Sequence, residues 1–413
     1  MRTILHCDIN NCFASIEALR NPQLRGRPIA VCGDPRQRRG IVLAKSEAAK
    51  QCGVKTGDVL WEARKKCPDI IFVPAHYDVY VHYSNMIRKY YEELTYRVEP
   101  YGIDECWLDV TGDLKRHGVS GYMLGEEIRE TVKQRFGLTI SVGVSFNKVF
   151  AKLGSDYRKP DAVTEFRRED MCSHIWPLPA SDLFGVGRAT QKQLLRFGIQ
   201  TIGDIARSNV PFLRSQLGKL GEQLWRYANG YDESEVTRPE ELASRQSVGH
   251  GTTLPFDVTH DEMLWPVLLE LATRVAHDLR REGFYARGLG LCVRDSRMCF
   301  HQYHYILSQR TNVSETLARI GYMLFIQRYG WHEPVHAITL TADHLEPINT
   351  PHQLELFAPS GIETGRTATI GLIEDAMMSL NTHFGSRILK RATTLHPIPE
   401  HPCGFGRPQA TAQ

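Results

Sequence analysis

The chain has 413 residues, 42% hydrophobic and 23% charged, with a net charge of +3. At about 100–200 residues per domain this is a multidomain protein with enough apolar residues for real cores, so global disorder is excluded. There is no run of 18 apolar residues, and Asp8 falls within the first apolar stretch, so neither a membrane span nor a signal peptide is expected. Ile4–Ile9 predicts a strand, and Asn11–Leu19 a helix with Phe13, Ile16 and Leu19 on one face. Pro28–Cys32 and Ile41–Ala44 predict strands on either side of the basic loop Asp34–Gly40, and Ser46–Cys52 a short helix. Tyr77–Val98 reads as one long helix, Glu99–Gly102 as a turn, and Cys106–Val110 as a strand. Leu124–Phe136 is a helix stopped by Gly137, and Thr139–Val144 a strand. This order suits an α+β fold.

Residues 166–235 change character, with short helical pieces separated by glycines. Thr237–Val248 reads as a linker. Residues 249–345 return to alternating structure, with an amphipathic helix at Leu264–Arg281 and strands at Leu289–Arg294, Cys299–Ile306 and Val335–Ala342. Ile370–Phe384 predicts a last helix. Residues 1–239 carry a net +6, residues 240–345 −2 and the remainder −1. A mildly basic first part permits a polyanionic partner without requiring one. None of the ten cysteines forms a C-x-x-C pair, so no zinc site is signalled, and reduced thiols in a cytoplasmic protein are expected.

Acid concentrates at β-like positions in two places, Asp8 and Asp104-Glu105. Neighbours in a regular strand face opposite ways, so Asp104 and Glu105 share a site only near a turn, for which Gly102 is suited. No basic partner for the three is evident. Either they are solvated strand-end acids, or divalent cations neutralise them. All-oxygen ligands suit Mg²⁺, and two ions would serve an in-line displacement.

Asp8-Ile-Asn-Asn-Cys-Phe13-Ala-Ser-Ile-Glu17 resembles the opening motif of the Y-family DNA polymerases. Gly102-Ile-Asp-Glu-Cys-Trp-Leu-Asp109 is similar to their second carboxylate motif, and Val142–Lys152 to their third. The match runs in order over residues 1–240, is looser to 345, and is nearest the polymerase IV group. The resemblance implies a right-hand architecture: palm over 1–10 and 79–165, small fingers over 11–78, and a helical thumb over 166–236. A linker at 237–248, an α/β little finger over 249–345 and a tail over 346–413 follow. It also implies that Asp8, Asp104 and Glu105, with the Ile9 carbonyl, bind two Mg²⁺ ions, and that these acids are the catalytic residues.

Further implications concern substrate and partners. Cys12, Phe13, Lys50 and Lys159 would line the nucleotide, with Phe13 rejecting a 2′-hydroxyl by steric clash; without the motif Phe13 reads as a core residue. Lys50 stands where the family commonly has Arg. Ala44 and Glu47 replace hydroxyls that usually touch phosphate, and an inward Glu47 would be unfavourable, with Lys45 or Arg38 as compensation. Asn10 replaces a common, noncatalytic Asp.

Gly185 and Gly187 fall in a stretch similar to a helix-hairpin-helix, whose backbone N–H groups approach DNA phosphate; an ordinary helical turn is the plain alternative. Gln353, Leu354, Leu356 and Phe357 fit the Q-L-x-L-F pattern of bacterial sliding-clamp ligands, bracketed by Pro351 and Pro359, against an internal edge strand. The expectation is a monomeric, cytoplasmic, template-directed translesion polymerase of low fidelity without proofreading. It would use dNTPs and primer-template DNA, with no membrane partner. A palm-type nucleotidyl cyclase and a noncatalytic clamp-bound accessory protein are the alternatives.

Overall fold

The computed structural model describes residues 2–33, 40–238, 241, 245–260, 263–331, 333–351, 361–384, 388–389 and 391–392. Gln353, Leu354, Leu356 and Phe357 lie outside them, as does Arg38. The chain divides into two compact units, Met1–Arg36 with Gly40–Leu242, and Ala243–Gln413. No helix among the described residues is long and apolar enough to cross a membrane.

The first unit opens with β1 (Ile4–Ile9), α1 (Cys12–Arg20), β2 (Ile29–Cys32), β3 (Val42–Lys45), α2 (Glu47–Gln51), α3 (Leu60–Lys66), β4 (Ile71–Pro74) and α4 (Tyr77–Leu94). It continues with β5 (Arg97–Tyr101), β6 (Glu105–Asp109), α5 (Thr111–His117), α6 (Gly121–Phe136), β7 (Ile140–Ser145), α7 (Lys148–Tyr157) and β8 (Val163–Phe166). Four helices close it: α8 (Arg188–Arg196), α9 (Ile202–Arg207), α10 (Val210–Leu217) and α11 (Lys219–Ala228). A five-stranded sheet runs β5-β6-β1-β7-β8, and a three-stranded one β3-β2-β4.

All six residues of β1 are buried, because both faces of the larger sheet are covered. Leu5, Cys7 and Ile9 join a core with Tyr80, Ile87 and Tyr91 of α4 and Ile128 and Val132 of α6. On the other face Ile4 packs against Trp107 and Ala151, and His6 meets Ser155 of α7. α7 lies close enough that only a glycine fits beneath it. A Cβ built on Gly143 would stand 1.8 Å from the Ala151 carbonyl oxygen and 2.4 Å from the Ser155 nitrogen.

The second unit has β9 (Ser247–Val258), α12 (Leu264–Arg281), β10 (Phe284–Asp295), β11 (Phe300–Thr311), α13 (Ser314–Arg328), β12 (Val335–Pro347) and α14 (Gly361–Phe384). Its antiparallel sheet runs β11-β10-β12-β9, with Leu268, Leu271 and Val275 of α12 and Leu317 and Phe325 of α13 in one core with Leu289, Leu291, Ile338 and Leu340. Both units are α+β, as expected.

Three expectations need correction. The helix from Tyr77 stops at Leu94, and Arg97–Tyr101 is a strand rather than the end of a helix and a turn. Thr95 takes an extended backbone and Pro100 cannot continue a helix; β5 is an edge strand, where Pro is tolerated. The stretch read as a linker to Val248 already enters β9 at Ser247, paired with Asp343 of β12. The last helix begins at Gly361, nine residues before the expected start.

Candidate active site

Asp8 and Glu105 are cross-strand partners on β1 and β6, so their side chains leave the sheet on one face near the end of β1. Asp104 lies in the turn that precedes β6, where Gly102 has φ +79°. Its carbonyl accepts a hydrogen bond from the Ile9 N–H at 3.0 Å. The turn therefore breaks strand alternation and lets two consecutive acids serve one site. Ile9 is the last residue of β1, adjacent to all three.

The acids are not without cations, contrary to the expectation. Lys159 Nζ bonds Asp8 Oδ2 at 2.7 Å and Asp156 Oδ1 at 2.7 Å. Lys152 of α7 is paired with Glu105 Oε2, and His6 Nε2 stands 3.0 Å from the same oxygen. An ionised carboxylate only accepts, so His6 donates from Nε2 and turns Nδ1 toward Ser155 Oγ at 2.8 Å.

The electrostatics differ among the three. Burial pushes Asp8 up to about 6 against the opposing charge of Lys159. Burial, then the charge of Glu105, also raises Asp104. Burial would raise Glu105 too, but hydrogen bonds from His6 and Lys152 together outweigh it and hold its carboxyl at about 2. Burial lowers His6, which keeps the ring neutral. The donor set is oxygen only, and two of its acids bear a desolvation penalty that a hard divalent cation relieves. The residues present therefore fit such a cation.

Cys12 is buried beside this group, its thiol pushed up by burial and then by the charges of Asp104 and Asp8. Phe13 stacks on Tyr80, centroids 4.3 Å apart, with Tyr77 edge-on at 5.7 Å. Tyr80 donates its hydroxyl to Glu17 at 2.6 Å, which anchors the stack. Glu47 is engaged by Asn11 Nδ2 at 3.3 Å and Lys50 Nζ at 3.7 Å, so Lys50 offsets this acid. Lys45 instead reaches Thr56 Oγ1 at 3.3 Å. Asn10 ties β1 to β7 through Ser141 Oγ at 2.8 Å and accepts the Asp161 N–H at 2.8 Å. Gly185 has φ +92°, and Gly187 is the N-cap of α8 with nothing within 4 Å of where a Cβ would stand.

Sequence reasoning gave no role to Lys152 or His6. A signal for His6 existed: two residues before Asp8 on a strand, it must share the acid's face.

Comparison with known proteins bears on this arrangement. The impB/mucB/samB family matches residues 7–156, and that family's C-terminal domain matches 245–356. A thumb-domain family described from DNA polymerase iota matches 181–232. The DNA polymerase IV of Acetivibrio thermocellus is 38% identical over 95% of this chain and 98% of its own length. The chain belongs to the Y-family DNA polymerases, polymerase IV type. The DNA polymerase IV 1 of Bacillus subtilis is 31% identical over 95% of this chain and 93% of its own. A chimeric Y-family DNA polymerase has the same fold, with a TM-score of 0.74 at 24% identity, covering 83% of this chain and 99% of that one. As a Y-family member the chain is a DNA-directed DNA polymerase that binds DNA and nucleotides and depends on divalent metal.

Proposed function

We propose that the chain extends a primer 3′-hydroxyl opposite a template with low fidelity, using dNTPs and two Mg²⁺ ions held by Asp8, Asp104, Glu105 and the Ile9 carbonyl. The observation that carries this reading is the meeting of three carboxylates at one end of the sheet, with Lys152 and Lys159 beside them. In this reading residues 1–10 and 79–165 form the palm, 11–78 the fingers and 166–236 the thumb, and a linker from 237 gives way at Ser247, where β9 begins, to a little finger that runs to 345. The enzyme works as a cytoplasmic monomer.

Bound cations would supply charge neutralisation at the triphosphate and activate the attacking hydroxyl. The protein's own groups do the rest. Lys152 and His6 keep Glu105 ionised and aimed. Lys159, shared between Asp8 and Asp156, is a cation ready to turn to phosphate when Asp8 has another partner. Lys50, linked to Glu47, is a second phosphate contact. Gly185 and Gly187 offer backbone at the start of α8 to a DNA phosphate. The fingers are small and leave little protein to close over the nascent pair, which favours damage tolerance over accuracy. Primer extension with single nucleotides on undamaged and lesion-bearing templates tests this. Insertion opposite both with frequent mismatches supports it, and strict arrest at lesions with accurate insertion opposes it.

Phe13 sets sugar choice in this reading. Tyr80 stays anchored on Glu17 when the Phe13 ring is removed, so Phe13→Ala opens space without losing the wall behind it. The expected result is at least about tenfold more ribonucleotide incorporation, equal to relieving a clash of about 1.4 kcal/mol. Unchanged single-turnover discrimination between rNTP and dNTP would leave Phe13 a packing residue only.

Gln353–Phe357 is the sliding-clamp ligand, supported by its pattern and by the flanking Pro351 and Pro359. Leu356 and Phe357 are the apolar anchors. Replacing both with Ala is expected to abolish clamp binding and the processivity a loaded clamp adds, while incorporation on short primers stays the same. Wild-type clamp affinity of the double variant in titration calorimetry would reassign the segment as a structural strand.

A further inference from the structure

Three metal-ligand side chains meet on the exposed side of the second unit's sheet. His304 lies on β11, Asp343 and His344 on β12, and β10 runs between them. His304 Nε2 stands 3.0 and 2.9 Å from the two Asp343 oxygens, and His344 Nδ1 2.9 Å from Oδ1. One ligand atom from each lies within 4.8 Å of the others.

Two backbone features make this meeting possible. The residues of β10 opposite His304 and Asp343 are Gly290 and Gly288. A Cβ on Gly288 would stand 1.9 Å from Asp343 Oδ1 and 2.8 Å from His344 Nδ1, so any other residue there would fill the space the ligand atoms occupy. His344 also has φ +50°, a left-handed backbone that L residues adopt at a cost. Consecutive strand residues face opposite ways, and this break lets His344 turn back onto the acid beside it. A simple Asp–His hydrogen bond needs neither a second imidazole nor a left-handed residue.

We propose that His304, Asp343 and His344 bind one divalent transition-metal ion of the zinc, cobalt or nickel class, at a site made wholly from the second unit. Two imidazoles and one carboxylate suit such borderline ions, whereas Mg²⁺ prefers oxygen alone. Metal–nitrogen bonds of about 2.0–2.1 Å place neighbouring ligands about 2.9 Å apart in an octahedron and 3.3 Å apart in a tetrahedron. Each imidazole nitrogen already stands at that spacing from an Asp343 oxygen, at 2.9–3.0 Å, and all three ligand atoms lie within 4.8 Å of one another. Both histidines are exposed, so the remaining positions are open to water. The bound ion clips the edge strand β11 to β12 across the glycines.

The test uses the full-length, untagged, chelator-treated protein, titrated with Co²⁺ in excess Mg²⁺, which occupies oxygen-only sites. One Co²⁺ per chain is expected, with the visible absorption of a nitrogen-ligated ion. His304→Gln and His344→Asn should each weaken it at least about tenfold, the range seen even for residues that only support a ligand. Asn tolerates the left-handed backbone at 344. Far-UV circular dichroism monitors folding, and the near-isosteric Asp343→Asn replaces any variant that fails to fold. No saturable Co²⁺ binding in excess Mg²⁺, or equal binding by wild type and folded variants, would overturn the proposal.

Discussion

Asp104→Ala is expected to abolish nucleotide incorporation while DNA affinity stays at the wild-type level, and Asp8→Ala and Glu105→Ala to do the same to incorporation. In the proposed reading, losing a carboxylate that organises the metal ions would remove several kcal/mol of charge stabilisation, a loss of roughly a thousandfold or more in rate. In the same reading DNA would be held by contacts to its phosphates elsewhere, so binding would be spared. Asp104 is the cleanest of the three. Its link to β1 runs through its backbone carbonyl, which Ala retains. Glu105→Ala, by contrast, strips Lys152 and His6 of a shared partner and leaves a half-buried ammonium unpaired. Single-turnover incorporation and fluorescence anisotropy on a labelled primer-template separate the two effects. Near-normal extension by Asp104→Ala with Mg²⁺ would remove this residue from the catalytic set.

Gly143→Ala is expected to be the most damaging single-methyl change in the first unit. The new carbon meets backbone, the Ala151 carbonyl at 1.8 Å and the Ser155 nitrogen at 2.4 Å, so no rotamer change relieves it. α7 must lift from the sheet as a body. Overpacking of this kind costs about 3 kcal/mol. For a unit of this size that lowers the unfolding temperature by about 6–12 °C. The same lift carries Lys152 and Ser155 away from Glu105 and His6, so activity should fall at temperatures where the variant is still folded. An unfolding temperature within 2 °C of wild type would mean that α7 yields at little cost.

The legible parts of this molecule are those where local pattern and tertiary context agree. Leu264–Arg281 was readable to the residue, because one apolar stripe faces one core. Ile4–Ile9 was readable as a short, mostly apolar strand, since both faces of its sheet are covered and only His6 and Asp8 interrupt the run. Arg97–Tyr101 was not, because an edge strand holding Arg97, Glu99 and Pro100 has no inward pattern to display. α13 escaped for the opposite reason: its apolar residues are spread around the helix rather than gathered on one side. At the site, the three carboxylates were legible through motif and turn chemistry. Lys159 was legible as a contact to the nucleotide but not as the partner of Asp8, and Lys152 not at all: they come from the segment after α7 and from α7 itself, so only the folded chain brings them within reach of Asp8 and Glu105.

β1 has a temporal consequence. It ends at Ile9, yet its two partners, β6 and β7, end only at residues 109 and 145. At about 5–20 residues per second, the ribosome needs roughly 7–30 s to supply them. Until β6 is made, roughly 5–20 s later at that rate, this strand bearing Asp8 has neither neighbour, and until β7 is made it has at most one, so it is an adhesive edge open to other nascent chains. Pairing over such separations is also slow to nucleate. Asp8 therefore cannot meet Asp104 and Glu105 until β6 has been made, and the sheet that holds all three closes only when β7 and β8 have followed.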